Sequence, residues 1–569
     1  MNSLNEKKIF DVYGKMNIWK LGLNVIIPSL LLTLLFGIYI FVDQMIIINL
    51  VPNDGHNYLL NWFTSQNQAD LYNRVSDYIA QNPNENLVVS NNIHGFIVYP
   101  TSNLIGPFSL IILSFGYFIS AGSAVIFSKA LATKDYQLKD KVLWNSFYAT
   151  IAFSVVATII MVLIQNSVLN LMVSKTHTVT TVIGNNSEGV TAADLNNYLT
   201  LWYNGTIDLA NQYIYWMNGA ILFSCLSNLF VFFIRAEGYN LWITLIGIFA
   251  NIANIIFDVI LIVVLKKGIM GGGIATFLGQ FLNCFGLLVY LVILNHKDKT
   301  FIKFRSLFKI KDCFSAKIIF DSFLLGSSTF LRKLSSAVAN IVYVPVFMAT
   351  MQAISPVALN SYSQLAPTPI YNLFYFAIFG IIDGMRPIIS YNYSQKNYKR
   401  VKEGFWIGIF TAIVYSFIVI SLVFSIVPNN NAILKSLNAN SDYDKQNLFY
   451  LMLSQMWQFP FLALSVGGLA LFQSTNKKTW NIIASLTPGV FCFYPIIFIM
   501  SSIAIQTNAV TVMVFTGFTN NVVSSFVLLA YSIYFIALFS NKKLQDFNNK
   551  IVKFFQFNKK TKYKTIQIK

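Results

Sequence analysis

The sequence predicts an all-α membrane protein with about twelve transmembrane helices in two six-helix, pseudo-symmetric lobes. Three observations carry this. Mean hydropathy is +0.58 and 11% of residues are charged, against about a quarter in soluble domains. Apolar runs of spanning length, about 20 residues, recur along the whole chain of 569 residues. The chain also echoes itself. "GSAVIFSKALATKDY", Gly122 to Tyr136, and "GMRPIISYNYSQKNY", Gly384 to Tyr398, coincide at Gly122/Gly384, Ile126/Ile388, Ser128/Ser390, Lys134/Lys396 and Tyr136/Tyr398 at one fixed offset. Trp242 and Trp480 form a second echo.

Taken in order, residues 1–20 lack a short apolar core followed by a small-residue cleavage site and read as a cytoplasmic segment. The N-terminal lobe, 21–294, holds runs at 21–50, 104–131, 142–171, 212–234, 241–265 and 271–294. Two outer insertions, 51–103 and 172–211, interrupt it. A basic linker, 295–317, leads to the C-terminal lobe, 318–540, with runs at 318–349, 357–391, 403–427, 447–472, 479–505 and 510–540. A basic tail, 541–569, follows. Several runs exceed the bilayer's need, so tilt or kinks are expected.

Orientation follows from Lys and Arg. The stretches "KDYQLKDK", "NHKDKTFIKFRSLFKIKDCFSAK", "SQKNYKRVKE" and "TNKKT" are basic and read as inner loops. Segment 51–103 carries Arg74 against Asp54, Asp70, Asp77 and Glu85, and 172–211 carries Lys175 against Glu188, Asp194 and Asp208, so both read as outer. An even number of spans then puts both termini in the cytoplasm and the chain in the plasma membrane. The net charge of +18 reads as this loop asymmetry, not as a nucleic-acid footprint. The excess of Asn, Lys, Ile and Phe points to an AT-rich, low-GC bacterial genome.

Catalysis and metal clusters find little support. Cys225, Cys284, Cys313 and Cys492 have no CxxC spacing. His56, His94, His177 and His296 read as loop residues without ligand spacing. No enzyme activity, no cofactor and no nucleic-acid partner are expected. A monomer in the lipid bilayer is.

An ionised side chain in mid-membrane is costly, about 2.5–3.5 kcal/mol on insertion scales, so such residues are functional candidates. They are Asp43, Asp258, Asp321, Arg332, Lys333, Asp383 and Arg386. Asp43, Asp258 and Thr276 all fall about 8–12 Å below the outer surface at 1.5 Å per residue. Asn254 sits one turn deeper than Asp258 on the same face. Two carboxylates, an amide oxygen and a hydroxyl at one depth describe a Na⁺ site, or a carboxylate pair holding one proton. Pro28, 15 residues before Asp43, kinks the first helix and is a candidate hinge. Asp383 and Arg386, one turn apart, read equally as a local ion pair or as substrate contacts. Arg332 and Lys333, being adjacent, point to different faces. With Asp383 and Arg386 they are candidate substrate or lobe–lobe contacts.

Four stretches resemble the multidrug and toxic compound extrusion (MATE) family. "IPSLLLTLLFGIYIFVDQ" is similar to its first helix, "FIRAEGYN" and "NIANIIFDVILIVVLKKGIMGGGIAT" to its fourth-to-sixth-helix signature, and "GIIDGMRPIISYNYSQKNYKRVKEGF" to its eighth. The resemblance implies a twelve-helix antiporter in which Na⁺ or H⁺ entry drives export of organic cations, drugs or amphipathic metabolites by alternating access. It also implies the N-lobe-coupled (DinF-like) type, with Asp43, Asn254, Asp258 and Thr276 holding the ion and Pro28 bending. Arg332 and Lys333 depart from the acidic seventh helix of other branches, and Ile496 stands at the repeat equivalent of Asp258. A flippase for lipid-linked precursors or polysaccharides is the alternative within the same superfamily. The long outer insertions exceed the family's usual loops and form either a cap or a lineage insertion without a role.

Overall fold

The structure, a computed structural model, describes residues 16–51, 55–81, 99–132, 135–173, 190–237, 239–303, 314–355, 358–359, 361–362, 365–475 and 478–540. Among these, twelve helices are long and apolar enough to cross a membrane, and no strand occurs. The protein is a multi-pass membrane protein. In the N-terminal lobe the spans are α1 (Ile18–Leu50), α2 (Tyr99–Phe118 with Ser120–Ala132), α3 (Tyr136–Met172), α4 (Ala192–Ala236), α5 (Asn240–Asp258, extended by Val259–Val264) and α6 (Gly268–His296). In the C-terminal lobe they are α7 (Ala316–Ile354), α8 (Thr368–Ser394), α9 (Tyr398–Ile426), α10 (Asp442–Trp457 with Phe459–Ser474), α11 (Lys478–Leu486, Thr487–Phe491 and Phe493–Thr507) and α12 (Val510–Val514 with Thr516–Ser540).

Local chemistry starts these helices. Asn17, Asp135 and Asn397 each accept a backbone N–H in the first turn, from Trp19, Leu138 and Arg400, which satisfies a donor the helix cannot. Lipid reverses the usual amphipathic pattern. On α3 the buried face carries Ser146, Thr150, Ser154 and Gln165, while Val155, Val156, Ile159, Ile160 and Leu163 are exposed. Polar groups turn inward because the bilayer offers them no hydrogen bonds.

The first helix of each lobe crosses into the other. Ile18, Leu21, Ile26 and Leu30 of α1 are buried in a cluster with Ile381 of α8 and Phe405 of α9. Its C-terminal end, Ile46, Ile47 and Val51, packs with Tyr213 of α4 and Ile269 of α6. Likewise Ala337 and Ile341 of α7 join the N-terminal cluster, whereas Met351 packs with Met513 of α12. The extensive packing runs within the α1–α8 and α2–α7 pairs rather than between them.

The self-echo has a packing explanation. Gly122 lets α2 touch α7, because a Cβ there would lie 1.9 Å from the Ser322 carbonyl oxygen. Its counterpart Gly384 lets α8 touch α1, where a Cβ would meet the Ile26 Cα at 2.6 Å. Each glycine therefore sits where one lobe's helix crosses the other's.

The described parts of the two insertions, 51–103 and 172–211, are largely helical, which corrects their reading as loops. Much of 172–211 belongs to α4, which starts 20 residues before the apolar run at 212. Thr191 and Asp194 form a capping box there. Asn196, Asn197, Asn204 and Asp208 hid this part from an apolar count. Segment 51–103 contains Gly55–Ser65 and Ala69–Gln81. These pack on outer α4: Phe63 lies 5.0 Å from Tyr198 and 5.2 Å from Tyr72, and Trp62 Nε1 donates to the Leu201 carbonyl at 2.9 Å. They form a cap on the N-terminal lobe. His56 falls in the first of these helices and His296 ends α6, so neither is a loop residue. The other two histidines, Cys313, most of the linker and the terminal segment 541–569 lie outside the described residues.

The start of the linker is held by the N-terminal lobe. Glu237, just beyond α4, accepts hydrogen bonds from the Thr300 hydroxyl (2.7 Å) and the Phe301 amide (2.9 Å). Lys139 Nζ donates to the Phe301 carbonyl at 3.0 Å.

Candidate functional site

The four predicted ion ligands come together. Asp258 ends the regular part of α5 and is fully buried, and Asn254 beneath it is 2% exposed. The Asp43 carboxyl, brought by the C-terminal end of α1, lies within hydrogen-bonding reach of the Asp258 carboxyl. Thr276 on α6 faces the same space through Tyr213, whose hydroxyl is 3.0 Å from its own.

The glycine run of α6 makes this approach possible. A Cβ on Gly273 would lie 2.9 Å from the Tyr213 carbonyl oxygen, and one on Gly279 would lie 2.8 Å from Asn254 Nδ2. Asn254 uses its Nδ2 on the Ala275 carbonyl, at 3.0 Å, which turns its Oδ1 the other way. Directly after Asp258, α5 widens into a π-helical segment, Val259–Val264, with the Leu265 amide on the Ile260 carbonyl at 2.8 Å. Such bulges recur at functional sites.

The chemistry of this set is one-sided. Both carboxylate oxygens of Asp258, Oδ1 of Asp43 and Oδ1 of Asn254 are buried and accept no hydrogen bond from a described donor. Four hard, unsatisfied oxygens fit a monovalent cation or a shared proton. Two ionised carboxylates about 4 Å apart repel by roughly 4 kcal/mol at an effective dielectric of 20. Tyr39, one turn before Asp43, and Tyr213 are close enough to feel both carboxyls electrostatically. Sequence reading missed both. The available signal was spacing for Tyr39, at i and i+4 with Asp43.

Pro28 lies inside α1 with an exposed side chain. Around it, Ser29 Oγ donates to the Val25 carbonyl at 2.9 Å and Thr33 Oγ1 to the Ser29 carbonyl at 3.1 Å. Such back-bonds bend helices, as the missing proline N–H does.

The other candidates separate. Arg332 projects from α7 toward α8, with its guanidinium 5.1 Å from the Phe379 ring centroid. Lys333 turns to α2, with Nζ 4.7 Å from the Tyr117 ring. Their divergence is as expected for adjacent residues on a helix. Arg386 Nε donates to Gln473 Oε1 of α10 at 2.9 Å. This bond lies within the C-terminal lobe, not between lobes. The side chain of Asp383 lies outside the described residues. Asp321 lies near the start of α7, and Ile496 is buried on α11. Among the described residues no group of three His, Cys, Asp or Glu side chains could hold a metal ion.

No protein-family model matches the sequence. Two relatives are mycoplasma proteins described as uncharacterized. The MG447 homolog of Mycoplasmoides gallisepticum is 28% identical over 89% of this chain and 87% of that protein. MG447 of Mycoplasma genitalium is 27% identical over 96% of this chain and 97% of its own length. Solved structures are more telling. A multidrug resistance MATE family transporter of the MOP superfamily in its outward-facing conformation superposes with a TM-score of 0.66 at 14% identity, covering 94% of this chain and 99% of that one.

The chain has the MATE transporter fold. A MOP superfamily transporter from Pyrococcus furiosus, described as having a binding pocket of reverse polarity that suggests a different function, gives the same TM-score of 0.66, the same 14% identity and the same coverage of 94% and 99%. An inward-facing MATE transporter gives 0.60 at 14% identity, over 88% of this chain and 99% of that one. In this MATE fold the buried carboxyl pair sits in the N-terminal lobe, toward the C-terminal end of the helix that threads both lobes.

Proposed function

We propose that the chain is a cation-coupled antiporter that exports an amphipathic organic compound across the plasma membrane by alternating access, working as a monomer with both termini in the cytoplasm. The observation that carries this reading is the Asp43–Asp258 pair. Three of its four oxygens are buried and unsatisfied, and Asp43 stands on a helix whose N-terminal half is packed into the opposite lobe.

The mechanism follows from that placement. With the site empty, the two carboxylates repel, and the outer end of α1 is pushed from α5. Na⁺ or H⁺ bound between Asp43 and Asp258, with Asn254 Oδ1 and the Thr276 hydroxyl beside it, removes the repulsion and draws α1 inward. Pro28, with the back-bonding Ser29 and Thr33, takes up the bend. Because the inner half of α1 moves with α8, the bend shifts one lobe against the other. Ion binding and substrate release are then reciprocally linked.

The test uses proteoliposomes loaded with ethidium or with carboxyfluorescein, under an imposed Na⁺ or pH gradient. The expected result is movement of one dye under one gradient, lost in Asp43→Asn and in Asp258→Asn. Movement of neither dye, or movement indifferent to the gradient and to both substitutions, overturns the reading.

A further inference from the structure

We infer that the C-terminal lobe is itself jointed. A level of interrupted helices divides it into a base and a tip, and Asn520 and Asn521 of α12 position the joint. The inference concerns how the fold moves, and it stands or falls apart from the ion site.

Local sequence makes the breaks. α10 is interrupted at Gln458, just before Pro460, and α11 passes through the π-helical turn Thr487–Phe491, which holds Pro488 and Gly489. Proline donates no N–H, so the carbonyls four residues earlier, of Met456 and Ala484, lose their ordinary helical partner. In α11 the Cys492 amide reaches the Thr487 carbonyl, five residues back, at 3.0 Å. α12 is interrupted at Phe515, between Val514 and Thr516. Prolines and π turns are where helices bend.

Two adjacent side chains of α12 tie these breaks together. Asn520 Nδ2 donates to the Pro488 carbonyl at 3.1 Å, and Asn521 Nδ2 donates to Gln458 Oε1. The breaks of α10 and α11 therefore lie at one level, with that of α12 about 8 Å along its helix at 1.5 Å per residue. Asn520 Oδ1 and Ser485 Oγ, both beside the turn, are buried with no hydrogen-bond partner among the described residues. The joint thus holds polar groups to spare for a second arrangement.

Packing separates the two pieces. In the base, Trp480 of α11 stacks on Phe472 of α10 at 5.8 Å and meets Phe535 of α12 at 6.0 Å. In the tip, Ser454 Oγ of α10 donates to the Val514 carbonyl of α12 at 2.8 Å, and Ala504 of α11 clusters with Met513. On α10, the base half, Phe459–Ser474, packs extensively on α8 and α9, and the tip half, Asp442–Trp457, only slightly. α7 runs past both halves of α11 and so spans the joint. It touches α11 closely there, since a Cβ on Gly489 would lie 2.6 Å from Ser335 Oγ. Beyond the joint α7 is fastened to the tip. Ala339 packs with Phe493 and Ile497, Thr350 Oγ1 lies 2.7 Å from Ser501 Oγ, and Met351 joins Met513. On another face, Ala337 and Ile341 of α7 belong to the cluster of the N-terminal lobe. Movement of that lobe therefore reaches the tip through α7, while the base stays with α8 and α9.

Pulsed electron–electron resonance distances on purified protein in nanodiscs test this with neither gradient nor ligand. The four native cysteines are replaced by alanine, and spin labels are placed on exposed residues. Lys402 and Asn429 mark the two ends of α9, about 40 Å apart at 1.5 Å per residue. Lys402 and Gln506 span the joint, from α9 to the tip. The expected Lys402–Gln506 distribution is about twice as broad as the Lys402–Asn429 reference, or more, as for a hinged pair. Pro460→Ala/Pro488→Ala, which restores two donors, is expected to narrow it to the reference width. Asn520→Ala/Asn521→Ala is expected to broaden it further and leave the reference unchanged. A wild-type Lys402–Gln506 distribution no broader than the reference overturns the joint, as does an unchanged width in a folded double-proline variant. An unchanged width in the folded double-asparagine variant overturns the positioning role. Should a variant not fold, the two wild-type widths decide alone.

Discussion

A Cβ on Gly122 of α2 would sit 1.9 Å from the carbonyl oxygen of Ser322 on α7. No side chain of any size fits there without parting the two lobes. Gly122→Ala is therefore expected to destabilise the protein by about 1–3 kcal/mol, the usual range for overpacking, and Gly384→Ala similarly. Gly106, also on α2, has nothing within 4 Å of the place a Cβ would take, and Gly106→Ala serves as the control. Thermal unfolding in detergent compares them. Equal melting of Gly122→Ala and Gly106→Ala would contradict the crossing.

Ion binding at Asp43 and Asp258 should appear as ligand stabilisation. A ligand at 100 times its Kd adds about 2.7 kcal/mol. Wild-type protein is expected to melt at higher temperature as Na⁺ is raised at fixed pH and ionic strength, and Asp258→Asn is expected not to respond. If the proton is the ion, lowering the pH replaces Na⁺ in the same experiment. An identical response of wild type and Asp258→Asn to both ions would sink the site.

The Glu237 clamp gives a prediction with a pH sign. Burial raises the Glu237 carboxyl above its ordinary 4.5, while hydrogen bonds from Thr300, Phe301 and Ile302 and the charge of Lys139 pull it back. Tyr290 also faces it. A carboxyl that holds its proton more tightly when folded favours the folded state at low pH. That contribution is lost as pH rises from about 4.5 through the folded value. Glu237→Gln, which cannot ionise, should flatten this part of the stability–pH curve. Glu237→Ala removes the hydrogen bonds from Thr300 and Phe301, about 2 kcal/mol or roughly 30-fold in local opening. Tryptic cleavage after Lys299 and Lys303 should rise accordingly, and unchanged cleavage would mean that the clamp does not hold the linker.

The cap should be separable from the membrane core. Phe63 is fully buried and packs its ring at a tilt against Tyr72 and against Tyr198 in the N-terminal part of α4. Phe63→Ala is expected to cost about 3–5 kcal/mol, confined to the cap. Hydrogen exchange should accelerate across 55–81 and stay unchanged in α9. Acceleration in α9 as well would show that the cap supports the whole protein.

The residues that sequence could reveal were those whose chemistry clashes with their surroundings. Asp43 and Asp258 stand out because a carboxylate in an apolar run is costly, and helix rise alone put them at one depth with Thr276. Tyr39 and Tyr213 did not stand out, since tyrosine is common here, 29 residues, and sits comfortably in membrane helices. The outer half of α4 was hidden because Asn196, Asn204 and Asp208 break the hydropathy signal while the backbone stays helical. The bond between Glu237 and Thr300 spans 63 residues, and no local pattern encodes it. Hydropathy counts helices but does not say which ones touch, so the crossing of α1 into the opposite lobe became visible only in three dimensions.

That crossing bears on how the protein is made. Thr33 of α1 reaches the Ala377 carbonyl of α8, its neighbour 344 residues further along the chain. At about 5–20 residues per second, a ribosome takes roughly 17–70 s to deliver α8 after α1. For that time Gly37 and Thr33 face lipid or an insertion factor instead of their final partner. Newly made N-terminal halves should therefore be the species most exposed to membrane proteases, and a chain truncated before α8 should be degraded even though the six helices of its N-terminal lobe are complete.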